Sequence, residues 1–116
     1  MQRRDFLAAA AAVPALQLFP AQAKLGDIGL ATITVAKAMT AAPAATLAAI
    51  AEIGYTELGL SQLYGHSAEI LATEMKRVGL RCPVLHTPWS ELTEEKWPAV
   101  IARAQLFGSR YIFCPS

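Results

Sequence analysis

Glycine residues divide most of the chain into alternating short apolar runs and longer amphipathic segments. Apolar runs follow a glycine at Gly54–Leu60, Gly79–Leu85 and Gly108–Cys114, and an earlier run, Ile28–Val35, precedes the first by a similar interval. The three glycines are 25 and 29 residues apart, which is the length of one strand plus one helix with their connections. The pattern therefore predicts four strands separated by helices.

The segments between these runs have the periodicity of helices. The predicted helices are Pro43–Ile53, Ser67–Val78 and Thr93–Phe107. The first begins with proline, whose missing N–H is not needed in a first helical turn. In the second, apolar residues recur every three or four positions and would lie on one face. Thr93 offers a capping hydroxyl, and two acidic residues follow it at the end where a helix dipole is positive.

This alternation predicts an α/β fold with a parallel sheet in the order β1-β2-β3-β4, because crossovers between parallel strands are right-handed. It is the pattern of the first half of a TIM (β/α)8 barrel, or of one half of a doubly wound fold. About four strands and three helices cannot close a barrel, which needs eight of each. We expect either the N-terminal half of a longer protein or a half-barrel that associates to cover its edges. A flavodoxin-like domain would need an acidic or Gly-rich loop after the first strand, and Val35–Lys37 supplies neither.

Residues 1–23 have the pattern of a signal peptide. Arg3 and Arg4 precede an apolar stretch, Phe6–Phe19, and Ala21–Ala23 then has the small residues that a signal peptidase accepts. Cleavage is expected after Ala23. As a helix of about 14 residues the stretch would be ~21 Å long, too short for a stable span of a ~30 Å hydrocarbon core.

The two arginines, followed by Phe6 and Leu7, resemble the twin-arginine export motif. The alanine-rich apolar stretch is typical of that route. We expect the twin-arginine export machinery as a partner and a periplasmic or otherwise exported location, with residues 24–116 as the mature protein. The alternative is an amphipathic or buried N-terminal helix, although five consecutive alanines give it no polar face.

Composition narrows the classes of function. Hydrophobic residues make up 54% of the chain and charged residues 16%, which excludes an intrinsically disordered protein. The formal net charge is +1 and arises within the leader, because residues 24–116 carry eight basic and eight acidic side chains. Without clustered Lys or Arg, no nucleic-acid partner is expected.

The two cysteines are too few for a disulfide scaffold or a four-cysteine zinc module. Cys82 begins the predicted third strand, whereas Cys114 ends the fourth. The offset of about three residues is roughly 10 Å at ~3.3 Å per residue, beyond the ~7 Å limit for a disulfide. The same offset argues against a zinc site made with His66 and His86, so buried free thiols are expected.

Six segments of the mature chain together carry a resemblance to a known family. They are Ile28–Val35 with Met39, Ala51–Leu58, Tyr64–Ser67, Val78–Leu80, His86–Pro88 and Tyr111–Pro115. As a set they resemble the sugar phosphate isomerase/epimerase family, whose fold is a xylose isomerase-like TIM barrel. The likeness covers nearly all of the mature chain but only the first half of that barrel, so residues 24–116 would form a partial barrel.

The resemblance implies an exported protein whose complete barrel rearranges a small-molecule sugar. In the family, a divalent metal of the Mn, Mg or Zn type polarises carbonyl and enediolate oxygens during proton transfer or hydride shift between adjacent sugar carbons. Its ligands come from the second half of the barrel, so the resemblance implies no metal site and no catalytic residue in this chain. The alternative is a non-catalytic carbohydrate-binding or accessory barrel protein. Association into a homo-oligomer is compatible with both.

Function in such a barrel lies at the C-terminal ends of the strands, which selects His86, Trp89, Tyr64 and His66 as candidate substrate-binding residues. His86 ends the third strand, where its imidazole could bond a sugar hydroxyl or simply a loop carbonyl. Trp89 could be an apolar platform for a sugar ring or a plug over the third helix. Tyr64 and His66 lie in the loop after the second strand, Ser61–His66, although His66 could merely precede the Ser67 cap.

Thr34 and Cys114–Ser116 lie at predicted strand ends as well, and Glu57 could face either the barrel interior or the helices. The chain departs from the family at several positions. Ala31, Ile33 and Ala36 stand where relatives tend to have Gln, Tyr and Arg, and Gly59 stands where they often have Glu. Because no Arg cluster or Gly-rich anion loop replaces these groups, a phosphate on the substrate is not supported. The lost polar groups favour the accessory alternative.

Overall fold

A computed structural model of the protein describes residues 26–115, and the predicted signal peptide lies outside them. Four strands and four α-helices occur in this range, with two helices between the first two strands and one helix in each of the other two connections. The strands are β1 (Gly29–Ala31), β2 (Glu57–Leu60), β3 (Arg81–His86) and β4 (Tyr111–Phe113). The helices are α1 (Ala36–Ala41), α2 (Pro43–Ile53), α3 (Ala68–Arg77) and α4 (Trp97–Phe107). Short 3₁₀ turns occur at Thr32–Val35 and Trp89–Glu91.

The four strands form one parallel sheet in the order β1-β2-β3-β4, which confirms the α/β fold of parallel βα repeats. Two helices have the predicted ends. Pro43 opens α2, and Ser67 caps α3 by accepting a hydrogen bond from the Ile70 N–H at 3.1 Å. At the end of α4, Gly108 takes the left-handed conformation, with φ at 67°, where a side chain would be strained.

The helices cover only one face of the sheet. Strand residues on the covered face, among them Leu58, Leu60 and Leu85, are at most 1% exposed and pack against apolar side chains of the helices. These helix residues are Met39, Leu47, Ile50, Leu71, Met75 and Ala104. The register places a second set of strand residues on the opposite face, which is called the open face below: Gly29, Ala31, Glu57, Gly59, Arg81, Val84, His86, Tyr111 and Phe113.

The pairing of β2 with β3 contains one irregularity, and a proline explains its place. Gly59 pairs with Val84 although Glu57 pairs with Arg81, so β3 carries one extra residue there. Pro83 lies within this stretch and has no N–H for a ladder hydrogen bond, which is tolerated in a bulge. Its carbonyl accepts a hydrogen bond from the Arg110 N–H at 2.9 Å, which ties the start of β4 to the bulge.

Two predictions on the N-terminal side of the fold are wrong. The strand expected over Ile28–Val35 ends at Ala31, and the chain then makes a 3₁₀ turn and enters α1, a helix that was not predicted. Thr32 is fully buried and bonded to atoms of β2 and of the loop that follows it. The chain therefore turns at this residue, and an apolar run alone does not show such a turn.

The last helix begins later than the predicted Thr93. Residues 94–96 form a turn, and the helix begins at Trp97. Pro98 has no N–H to donate to Glu94, and the Ala99 N–H bonds Lys96 instead of Glu95. Thr93 still caps this turn, because its hydroxyl accepts a hydrogen bond from the Lys96 N–H at 3.2 Å. None of the helices among residues 26–115 is long and apolar enough to cross a membrane.

Candidate functional site

The C-terminal ends of the strands, with the loops that follow them, form the edge called the C-terminal rim below. His86 ends β3 on the open face and is half-buried. Its ring meets the Phe113 ring in an edge-to-face arrangement, with centroids 5.1 Å apart. A Cβ added to Gly59 would lie 3.8 Å from His86 Nε2. The imidazole therefore lies over Gly59, in space where a longer residue of β2 would crowd it.

Trp89 lies three residues beyond His86 and is 79% exposed, so the predicted role as a plug over a helix does not describe it. A polar network holds the turn that carries it. The Thr87 hydroxyl donates to Glu91 Oε2 at 2.8 Å, and Arg103 of α4 contacts the same oxygen at 3.3 Å. The Thr87 hydrogen bond, with the positive charges of Arg103 and Lys96, lowers the pKa of Glu91 although burial opposes this.

Thr32 is the hydrogen-bonding centre between the first two strands at the rim. Its Oγ1 accepts from the Ser61 N–H at 2.9 Å and from the Tyr64 hydroxyl at 2.9 Å, and it donates to the Gly59 carbonyl at 3.4 Å. Thr32 itself is fully buried. One hydroxyl therefore fixes the end of β1 against both β2 and the loop that follows β2.

Tyr64 is held in place by this network and sits in an unfavourable backbone conformation. Its φ is 54°, in the left-handed region that costs a residue with a Cβ about 1–2 kcal/mol. The side chain is only 6% exposed. The hydrogen bond to Thr32 and the burial of the ring offset the strain. Tyr64 therefore holds the loop after β2 against the core and is not exposed at its surface.

His66 contacts the end of a helix. Its Nε2 lies 3.1 Å from the Met39 carbonyl and 3.2 Å from the Thr40 carbonyl, in the last turn of α1. Carbonyl oxygens only accept hydrogen bonds, so Nε2 carries the proton and donates to both. Carbonyls in a final turn have no partner within their own helix, and His66 supplies one.

The four predicted residues thus fall into two groups. His86 and Trp89 lie at the end of β3, one half-buried and one exposed, whereas Tyr64 and His66 make contacts within the protein that order the loop after β2. Thr34, expected at a strand end, is in the 3₁₀ turn and donates to the Ala31 carbonyl at 2.8 Å. The substrate-binding role of all four side chains stays a prediction.

Sequence reasoning missed Thr32, and it included Ser61 only as the first residue of the loop after the second strand. Ser61 directly follows β2, and its Oγ is buried without a hydrogen-bond partner among the described residues. Such hydroxyls are normally satisfied by water or a ligand. The available signal was a threonine inside an apolar run, with a serine at the next strand end about 30 residues later. This pattern alone does not show that the Thr32 hydroxyl bonds the Ser61 N–H.

Glu57 lies at the opposite end of the sheet, on the open face, and takes part in an ion cluster. Arg81 contacts Asp27 Oδ1 at 2.7 Å and Glu57 Oε1 at 3.6 Å. The Arg81 hydrogen bond, with one from Thr56, lowers the pKa of the Asp27 carboxyl. Because the N-terminal end of such a sheet normally serves stability, Glu57 is best explained as part of this cluster.

The described residues do not by themselves make a metal site. Within residues 26–115, no three His, Cys, Asp or Glu side chains converge on one point. Cys82 and Cys114 are free thiols, but only Cys82 is buried as expected, because Cys114 is half-buried; burial raises the pKa of the Cys82 thiol. The divalent metal that the family resemblance implies would need ligands beyond these residues, so it stays a prediction.

The Thr32 network predicts a specific pattern of coupling. Thr32→Val leaves the Tyr64 hydroxyl and the Ser61 N–H buried without an acceptor, so we expect the free energy of unfolding to fall by about 2–3 kcal/mol. In the Thr32→Val/Tyr64→Phe double variant one unpaired donor is gone as well, so the loss should be smaller than the sum of the single losses. Urea unfolding measures both. Thr73→Val, at an exposed threonine of α3, is the control and should change stability by less than about 0.5 kcal/mol. Additive losses in the double variant would contradict the network.

The lowered pKa of Glu91 predicts a pH-dependent contribution to stability. A carboxyl whose pKa is lower in the folded than in the unfolded state stabilises the fold above the unfolded pKa, and this contribution is lost as the pH falls through the folded pKa. Glu91→Gln should therefore cost about 1 kcal/mol at neutral pH, and the difference from wild type should shrink in acid. Unfolding curves across the acid range test this against Glu94→Gln, an exposed control. A difference that does not change with pH would refute it.

Comparisons with known proteins leave the family assignment open. No known family model matches the chain, and no curated protein is significantly similar to it. The likeness to the sugar phosphate isomerase/epimerase family therefore depends only on the sequence segments given above. By its fold, the chain belongs to the class of parallel α/β proteins built from βα repeats.

Proposed function

We propose that the chain is the N-terminal half of an exported sugar isomerase/epimerase-like barrel, with the open face as one wall of a carbohydrate-binding cavity. The proposal combines the motif resemblance, the leader and the sheet. The helices that connect the four parallel strands cover one face of the sheet and leave the other for a cavity. In barrels of this kind ligands bind at the C-terminal ends of the strands.

The observation that carries the proposal is the character of the C-terminal rim on the open face. His86 offers an imidazole, half-buried between Gly59 and the edge of Phe113. A neutral imidazole has one donor and one acceptor nitrogen, which suits a sugar hydroxyl. Trp89 presents an exposed ring, and aromatic faces pack well against the apolar face of a sugar. Ser61 adds a buried hydroxyl without a partner among the described residues.

A binding function without catalysis is the second candidate, and Gly59 favours it. Members of the family that the chain resembles often have a carboxylate at this position, whereas here the missing side chain leaves the space to His86. An imidazole therefore lies where a carboxylate would extend, and this ring can bind a hydroxyl but holds no metal on its own. The metal, when bound in a complete barrel, would polarise the sugar oxygens next to the reacting carbon. Residues 26–115 would bind and orient the sugar.

The leader supports an extracytoplasmic site of action. The twin-arginine route exports proteins that have folded in the cytoplasm, so the βα repeats would form before export. We propose the periplasm, or its equivalent outside the cytoplasmic membrane, as the location. A small-molecule sugar is then the partner, and the balanced charge of the mature chain gives no electrostatic preference for an anionic ligand.

Sugar binding is tested by titrating the mature protein with free pentoses and hexoses in aldose and ketose forms. A bound sugar should raise the melting temperature with increasing concentration, because it stabilises only the folded state. His86→Ala should weaken the affinity measured by calorimetry about tenfold, the equivalent of one hydrogen bond of ~1.4 kcal/mol. Trp89→Ala should weaken it to a similar extent.

Trp97→Ala is the matched control, since Trp97 is partly exposed at the start of α4 and should not affect affinity. In a full barrel, addition of Mn²⁺ distinguishes the metal-dependent isomerase from the non-catalytic binding protein. For this chain alone, we expect Mn²⁺ to leave the melting temperature unchanged. If no sugar shifts the melting temperature, or if His86→Ala binds as well as wild type, the proposed site is wrong.

A further inference from the structure

We propose that Gly59 determines the specificity of the sugar site, because the space left by its missing side chain beside His86 receives one hydroxyl of the bound sugar. The inference deepens the proposed function and rests on it, since it names the position on β2 that selects among sugars. It is drawn from the distances around Gly59, from the hydrogen-bonding capacity of His86 and from the charges on the open face.

The space above Gly59 is large enough for a methyl group. A Cβ built on Gly59 would have His86 Nε2 at 3.8 Å and the Ala31 Cα at 3.9 Å as its nearest neighbours, which is ordinary van der Waals contact. The register pairs Gly59 with Ala31 of β1 and with Val84 of β3, so short side chains flank it on both sides. The imidazole therefore borders this space without filling it.

The backbone gives no reason for a glycine at this position. Gly59 lies inside β2 and does not have a positive φ. The neighbouring bulge adds its extra residue to β3, so it does not require a glycine in β2. A glycine inside a strand has no side chain to pack, and it often marks a place where a ligand approaches the backbone closely. Gly59 lies on the face for which we propose a ligand.

His86 supplies the polar atom that borders this space. Of its side-chain atoms, Nε2 is the nearest to the position of an added Cβ, while the ring packs edge-to-face with Phe113. Within residues 26–115 the ring makes no hydrogen bond to another residue. Nε2 is therefore able to donate to a ligand atom or to accept from it, depending on the tautomer. A hydroxyl suits both tautomers, because it both donates and accepts.

The charges on the open face favour an uncharged group beside Gly59. Arg81 is the one Lys or Arg among the open-face residues of the described strands. It already contacts Asp27 at 2.7 Å and Glu57 at 3.6 Å, so its charge is matched. A carboxylate or phosphate beside Gly59 would lose hydration without gaining a free cation, which is costly. The chemical class that fits is a hydroxyl of a neutral sugar.

This space accommodates a sugar hydroxyl or a side chain, but not both. An oxygen bonded to Nε2 of His86 lies about 2.8–3.0 Å from it, and a methyl group on residue 59 would lie in the same space at 3.8 Å. Gly59→Ala should therefore displace the hydroxyl. A sugar that lacks this hydroxyl should lose nothing by the change. The preference for a sugar over its deoxy analogue thus depends on Gly59.

The test combines a glycine variant with a set of deoxy sugars. The mature protein is titrated by calorimetry with the free pentose or hexose that binds it best and with each monodeoxy analogue of that sugar. For wild type, one analogue should bind about tenfold more weakly than the parent sugar, which corresponds to the loss of one hydrogen bond. In Gly59→Ala the parent sugar should bind about tenfold more weakly and this analogue as before, so the preference disappears. His86→Ala should abolish the preference for the same hydroxyl.

Gly29→Ala is the matched control. Gly29 is also a strand glycine on the open face without a positive φ, and its added Cβ would lie 3.7 Å from the Glu57 Cβ. It lies at the N-terminal end of the sheet, so this variant should keep both affinities. Without sugar, neither glycine variant should have a lowered melting temperature, because alanine fits at both positions and restricts the unfolded chain.

The outcomes separate this inference from the proposed function. If wild type binds no sugar, the proposed function is wrong and the role of Gly59 falls with it. If wild type binds a sugar and Gly59→Ala keeps the full preference for the parent sugar over every deoxy analogue, only the role of Gly59 is wrong. A lowered melting temperature of Gly59→Ala without sugar would also overturn this role, because the space beside His86 would then not admit a methyl group.

Discussion

The structure depends on one constraint, the requirement that a parallel sheet be covered on both faces. The crossover helices of βα repeats normally provide this cover. Here α1 to α4 bury the leucines of β2 and β3 almost completely, while the opposite face exposes Tyr111 and Phe113. A sheet built in this way has its core on one side only. The open face is therefore the part of residues 26–115 for which we propose a ligand, and the same strand side chains decide both its shape and its chemistry.

The two ends of the open face have different chemistry, and each suits a different task. At the N-terminal end Arg81 contacts Asp27 and Glu57, which crosslinks the strands and presents charge. At the C-terminal rim the candidate groups are an imidazole, aromatic rings and hydroxyls, and the Thr32 and Glu91 networks order the loops beside them. The ion cluster stabilises the N-terminal end, whereas polar groups beside aromatic rings at the rim suit the carbohydrate that we propose. The strained Tyr64 supports the rim without facing it.

The sequence allowed much of the fold to be predicted because its signals are local. Pro43 and Ser67 mark helix starts by backbone chemistry, and both are confirmed. The beginning of the last helix was placed too early because Pro98 interrupts the ladder one turn later. The first strand was predicted to be too long, because a buried threonine within an apolar run has the same local pattern as a residue inside a strand. Its partners, Ser61 and Tyr64, lie about 30 residues away, and a contact across strands leaves no local pattern.

The candidate site was predictable in part for the same reason. His86 could be placed because a strand end is visible in the sequence, but its position over Gly59 could not, since it depends on the register of β2 with β3. His66 was expected to line a cavity, and its bonds to the carbonyls of α1 involve a helix that the sequence did not indicate. Residues within one element were therefore predicted better than residues that meet across elements.

The most direct test of the central claim, that the open face is covered in the working protein, is hydroxyl-radical footprinting of the mature protein before and after unfolding in urea. Tyr111 and Phe113 should be strongly protected from labelling in the native protein, although both side chains are exposed when only residues 26–115 are considered. Ile53, which is 75% exposed on α2, should label nearly as fast as in the unfolded chain. For each residue, the labelling rate in the native protein is divided by its rate in the unfolded protein. If this ratio is as high for Tyr111 and Phe113 as it is for Ile53, the open face is uncovered and the claim is wrong.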